Sequence, residues 1–85
     1  MFSVEYANQA TKFLKKAEKE LAQRLLEKIE ELRKEPVPHN AKTVEGYKET
    51  IFRVRVGNYR ILYDIDYKES KIGIIKIDKR AKVYE

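Results

Sequence analysis

A chain of 85 residues fits one small domain with a single core, which buries roughly 60% of the surface its unfolded form exposes. An apolar fraction of 42% with regular patterning excludes disorder, no run approaches the ~20 apolar residues that span a bilayer, and no signal peptide is visible. The sequence has no Cys and a net charge of +5, which excludes disulfides, thiolate metal sites and a cysteine nucleophile, and makes a cytoplasmic protein the expectation.

Phe2, Val4 and Tyr6 alternate with polar residues and predict a short first strand. Asn8 is placed to cap a following helix. Phe13, Leu14, Ala17, Leu21, Leu25, Ile29 and Leu32 then recur at spacings of three and four, the period of an amphipathic helix. No Gly or Pro interrupts residues 9–34, so one long helix and a hairpin of two both fit. Glu35-Pro36-Val37-Pro38 ends the helical region, because a residue before proline is driven out of the α region. A loop through His39, Asn40 and Ala41 leads to strands at 50–56, 59–66 and 71–77, with turns at Gly57-Asn58 and at Tyr67-Lys68-Glu69-Ser70. The third of these strands has apolar residues of both parities, Ile72 and Ile74 against Ile75 and Ile77. It is either buried on both faces or interrupted by a bulge. The order β-α(α)-β-β-β predicts an α+β fold, with helices on one face of a mainly antiparallel four-stranded sheet and residues 1–85 as one domain.

Charge is distributed unevenly along this order. Residues 1–40 hold eight basic and seven acidic side chains, and residues 41–85 hold eleven and seven, so the strand-rich half is the one suited to a polyanion. The 39% charged content also suits a heat-adapted surface laced with ion pairs.

The most informative run is Phe52-Arg53-Val54-Arg55-Val56-Gly57-Asn58-Tyr59-Arg60-Ile61-Leu62-Tyr63. A two-residue turn at Gly57-Asn58 pairs Val56 with Tyr59, Arg55 with Arg60, Val54 with Ile61 and Arg53 with Leu62. Strand alternation then places Phe52, Val54, Val56, Tyr59, Ile61 and Tyr63 on one face, and Arg53, Arg55 and Arg60 on the other. Like charges directly opposite each other destabilise a sheet by up to roughly 1 kcal/mol. Asp64, the nearest acid on that face, lies at the far end of its strand. The three arginines are therefore a candidate anion site, the alternative being an ordinary solvated strand face.

Other devices are missing or bland. The chain has no glycine-rich phosphate loop and only one His, so neither paired-histidine metal ligation nor a Ser-His-Asp arrangement is available. His39 reads as a surface residue, Asp64 and Asp66 as a solvated strand end, and Tyr59 and Tyr63 as core residues with wet hydroxyl edges. The C-terminal run Lys79-Arg80-Ala81-Lys82-Val83-Tyr84 is a basic tail next to a phenol. It reads either as a frayed end or as a place where phosphates meet cations and a base stacks on the ring.

Taken together, the Glu45-Gly46 pair, the arginine-bearing hairpin and the Lys-Arg-Ala-Lys-Val-Tyr segment resemble the RelE/ParE superfamily of toxins from toxin–antitoxin pairs. The Glu-Pro-Val-Pro segment is similar to archaeal RelE. The resemblance spans essentially the whole chain and is most specific in the strand–turn–strand portion. It implies a helical hairpin that breaks near Ala17 to Lys19, and a ribosome-dependent endoribonuclease acting on mRNA in the ribosomal A site. It also implies no metal or other cofactor, and an acidic RelB-like antitoxin that wraps the toxin.

Carried over by position, the resemblance implies active residues at Arg53, Arg55, Arg60, Arg80 and Tyr84. Lys42, Lys79 and Lys82 are expected to bind RNA. Bacterial RelE carries lysines where Arg53 and Arg55 stand. Arginine keeps its proton, with a pKa above roughly 12, so these two are suited to binding and stabilising a phosphate rather than to general-base work. Val44 matches a hydrophobic position ahead of the Glu-Gly pair and is expected to pack. Two further members of the same superfamily remain open as alternatives: a ParE-like protein that binds DNA gyrase without nuclease activity, and an inactive RNA-binding relative.

Overall fold

A computed structural model of the chain describes residues 1–79. In chain order the elements are β1 (Ser3–Tyr6), α1 (Asn8–Lys16), α2 (Lys19–Lys34), β2 (Lys42–Val44), β3 (Ile51–Val56), β4 (Tyr59–Asp66) and β5 (Lys71–Lys79). The strands form one sheet in the order β1-β5-β4-β3-β2. β1 runs parallel to β5, and the other pairings are antiparallel. The sheet thus has five strands rather than the four expected. The added strand, Lys42-Thr43-Val44, pairs with Arg53, Phe52 and Ile51 and is too short to show alternation in sequence.

The start of α1 also departs from expectation. Ala7, not Asn8, occupies the cap position, and no side chain caps the helix. Pairing with the sheet sets this boundary: the Ala7 N–H donates to the Ile74 carbonyl at 2.9 Å, while the Ala7 carbonyl accepts from the Thr11 N–H at 3.0 Å. The side-chain amide of Gln9 then acts as a short extra length of strand. Its Nε2 donates to the Ile77 carbonyl at 2.8 Å, and its Oε1 accepts from the Ile77 N–H at 2.9 Å. Both backbone groups of Ile77 are satisfied beyond the end of β1.

The helical region divides at Ala17 and Glu18, which take extended ψ values of 151° and 150°. Both residues are good helix formers, so local propensity does not demand the break; packing two amphipathic segments on one twisted sheet overrides it. Ala10 of α1 and Leu25, Ile29 and Leu32 of α2 enter a core with Val54, Val56, Ile61, Tyr63, Ile72, Ile74 and Ile77 of the sheet. A bulge resolves the two-parity pattern in β5. Tyr63 pairs with Ile74 but Leu62 with Lys76, so Ile75 is the extra residue. Ile72, Ile74 and Ile77 all reach the helix-covered face as a result.

Tyr63 departs from its expected wet edge. Its ring is fully buried, and its hydroxyl donates to the Pro36 carbonyl at 2.6 Å. Burial pushes its pKa up to about 12. The contact ties the segment after α2 to the centre of the sheet, and Phe52 stacks on the same ring at 5.7 Å.

Candidate nucleic-acid interface

The turn at Gly57-Asn58 forms as the sequence predicts, with Gly57 at φ +60°. Its register pairs Val56 with Tyr59, Arg55 with Arg60, Val54 with Ile61 and Arg53 with Leu62. Each predicted partner is found. Arg53, Arg55 and Arg60 consequently share the face of the sheet turned away from the helices.

Register across the remaining strands extends this face into rows. One row runs Lys42, Arg53, Leu62, Lys76 over β2, β3, β4 and β5; the next runs Arg55, Arg60, Asp78 over β3, β4 and β5. Neighbouring strands stand about 4.8 Å apart, and residues two steps apart along a strand about 7 Å, so these rows form a compact cationic patch. Leu62 and Ile51 lie on the same face yet are almost fully buried and stand outside the helix-side core. The arginines therefore sit around an apolar floor, with their stems available to cover it.

Asp78 corrects the view of this face as lacking an adjacent carboxylate. Arg60 Nε donates to Asp78 Oδ1 at 2.8 Å and Nη2 to Oδ2 at 3.4 Å, while Lys76 Nζ stands 3.7 Å from Oδ2. The hydrogen bond to Asp78 holds the Arg60 guanidinium above its usual value, with a smaller contribution from Tyr47. Tyr47, about half exposed on the segment between β2 and β3, is thus within electrostatic range of the site. Asp78 grips one edge of the guanidinium and leaves Nη1 uncommitted to it. That geometry fixes the plane of Arg60 while keeping donors available for an anion.

The opposite end of the same face is acidic. Asp64 lies across β5 so closely that a Cβ on Gly73 would collide with its Oδ1. Glu5 pairs with Lys71 at 3.1 Å, and Asp66 Oδ1 accepts from the Glu69 N–H at 3.0 Å in the turn. An extended polyanion is therefore favoured at the β3–β4 hairpin end and disfavoured at the β4–β5 turn. Among the described residues, no cluster of three or more His, Cys, Asp or Glu could hold a metal ion, and no helix is long and apolar enough to cross a membrane.

The structure brings Lys42, Arg53, Arg55 and Arg60 to one face. Lys79 pairs with Tyr59 and falls on the helix-covered side, where it lines an apolar groove with Phe13, Leu21 and Tyr59. Arg80, Lys82 and Tyr84 lie outside the described residues. Asp78, Lys76 and Tyr47 join the site without having been singled out from sequence. For Asp78 the signal was present: once a bulge is accepted between Ile74 and Ile77, the residue after Ile77 must face the arginines.

Comparison with known proteins agrees with this fold. The sequence model of the ParE toxin of type II toxin–antitoxin systems, parDE, matches residues 4–84. Among solved structures, the archaeal RelE–RelB complex from Pyrococcus horikoshii OT3 is 30% identical over 96% of this chain and 98% of that chain, with a TM-score of 0.83. The toxin–antitoxin complex RelBE2 from Mycobacterium tuberculosis is 26% identical over 93% of this chain and 98% of that chain, with a TM-score of 0.79. Isolated RelE from E. coli shares the fold at 16% identity, covering 98% of this chain and 88% of that chain with a TM-score of 0.82. No curated protein sequence matches significantly. The family pattern runs from β1 through the C-terminal segment, over the same hairpin that arrays the arginines, and the chain belongs to the RelE/ParE superfamily of type II toxins.

Proposed function

We propose that residues 1–85 form one toxin domain that cleaves mRNA in the ribosomal A site, without a metal, and so halts translation in the cytoplasm. The observation that carries this reading is the convergence of Arg53, Arg55 and Arg60 on one open sheet face, with Arg60 oriented by Asp78. The similarity to archaeal RelE supports it. In this mechanism the 2′-hydroxyl of the mRNA attacks the adjacent phosphorus, the 5′-oxygen leaves, and a 2′,3′-cyclic phosphate remains. Arg60 and Arg80 hold the phosphate, Arg53 and Arg55 stabilise the charge that develops on its oxygens, and Tyr84 stacks on or orients a base. Lys42 and Lys82 contact the RNA backbone, whereas Lys79, on the helix-covered side, is left out of this path. Arginines are poor proton acceptors, which suits an enzyme that relies on the ribosome to fix the attacking geometry, since positioning alone supplies several kcal/mol, roughly 7–11 at best. An acidic RelB-like antitoxin neutralises the toxin, in keeping with the RelE–RelB pairing of its archaeal relative.

The test is to incubate pure protein with programmed ribosomes and map mRNA ends, with and without a chelator. Cleavage at A-site codons that survives chelation supports the reading; intact mRNA at every codon overturns it. The match to the ParE model gives a second reading, a gyrase-binding toxin without nuclease activity, specific grounds. A supercoiling assay with gyrase, run beside the ribosome assay, separates the two.

A further inference from the structure

The tip of the β3–β4 hairpin carries a cation that the proposed mechanism leaves unused. Arg24 stands on the exposed side of α2, next to buried Leu25. Glu20 and Glu27, at i−4 and i+3 along the helix, are the usual distance for pairing with it. The guanidinium reaches instead across to the turn. A Cβ built on Gly57 would stand 3.0 Å from Arg24 Nη2, 3.4 Å from Nη1 and 3.6 Å from Cζ. Nη2 is the nearest atom and Cζ the farthest, so the guanidinium turns its Nη edge toward the glycine. A side chain at position 57 would occupy that space.

No hydrogen bond or ion pair holds Arg24 among the described residues. Its five N–H donors are left to solvent or to a ligand. Gly57 is two strand steps, about 7 Å, from Arg55. Arg24 approaches the tip from the helix side, whereas Arg55 and Arg60 flank it on the open face. The arginine fork suits phosphate oxygens better than a lysine point charge does.

We propose that Arg24 is an RNA-binding residue, taking a backbone phosphate beyond the one bound at the open face, where the strand turns round the hairpin tip. The inference rests on the ribonuclease reading and extends its RNA path from the open sheet face onto α2.

Salt dependence tests it, because each phosphate contact to a single strand contributes about 0.7 to the slope of log K against log salt concentration. Binding of a labelled single-stranded RNA oligonucleotide is followed by fluorescence anisotropy over a salt series, with melting temperatures measured alongside. Arg24→Ala is expected to lower the slope by ~0.7 without changing the melting temperature, and Arg24→Lys to keep most of the slope. If the parent protein binds with a salt-dependent slope and Arg24→Ala keeps that slope, the inference is overturned and the ribonuclease reading stands. An unchanged slope with a lowered melting temperature would identify Arg24 as a clamp on the hairpin and equally overturn it. If the parent shows no salt-dependent RNA binding, this inference is overturned, while the ribonuclease reading is decided separately by cleavage on programmed ribosomes.

Discussion

The two faces of the sheet are made by the same strands and obey opposite rules. On the helix-covered face, Val54, Ile61, Tyr63, Ile72, Ile74 and Ile77 lose their contact with water, and each is held by area removed from solvent. On the open face, Arg53, Arg55 and Arg60 stand closer together than their charges favour, around a small floor of Leu62 and Ile51. The first face stabilises the fold. The second is tolerated by it, with Asp78 offsetting part of the repulsion. Substitutions on the first face should therefore move stability and leave the site's chemistry alone, while those on the second should do the reverse.

The largest expected effect is on the covered face. Leu25→Ala removes a fully buried side chain from the helix–sheet contact and should cost about 2–5 kcal/mol in denaturant unfolding. Activity per folded molecule should be unchanged, and a selective loss of activity would break the comparison.

Tyr63 sharpens it through pH. With a folded-state pKa of about 12 against 10.0 for the free side chain, the unfolded chain loses this proton first as pH rises. Tyr63 thus contributes stability fully below pH ~10, and the contribution, at most about 3 kcal/mol, is lost between pH ~10 and ~12. Tyr63→Phe should cost about 1 kcal/mol at neutral pH through the lost bond to the Pro36 carbonyl, and should show a shallower alkaline decline than the parent. Parallel declines in the two proteins would contradict the assignment.

On the open face, Asp78→Asn removes the carboxylate that holds Arg60. A part-exposed pair of this kind contributes about 1 kcal/mol or less, so the melting temperature should fall only slightly. Sulfate should restore it more in the variant than in the parent, because an anion binding the folded state takes the carboxylate's place. Equal sulfate effects would argue against an anion site. The same ion pair gives Arg60 a structural share, so Arg60→Ala should lose a little stability rather than gain it. The smallest effect belongs to Arg53→Ala, within about 0.5 kcal/mol of the parent in stability, with reduced cleavage on programmed ribosomes.

Much of this architecture is legible in the sequence because alternation and turn chemistry are local. Gly57-Asn58 sets the hairpin, the hairpin sets the register, and the register sets which side chains share a face. What escaped depends on distant strands. Asp78 faces the arginines only because Ile75 bulges out of β5 and reverses the parity beyond it. Residues 42–44 become a strand only because β3 offers them a partner. The break at Ala17-Glu18, which periodicity leaves open, is placed near Ala17 to Lys19 by the family resemblance alone. Arg24 reaches Gly57 across tertiary space, which no local pattern encodes.

The parallel pairing of β1 with β5 has a consequence for the timing of assembly. Ser3 must meet Lys71, and the Gln9 amide closes on Ile77 across a separation of 68 residues. Contacts so remote in sequence slow folding, since most of the chain must be ordered before they are rewarded. During synthesis β1 waits without its neighbour until β5 has emerged, and Asp78 arrives on that same strand. A nascent toxin therefore holds Arg53, Arg55 and Arg60 before it holds the carboxylate that aligns Arg60, and the open face is completed only when the two ends of the sheet sequence come together.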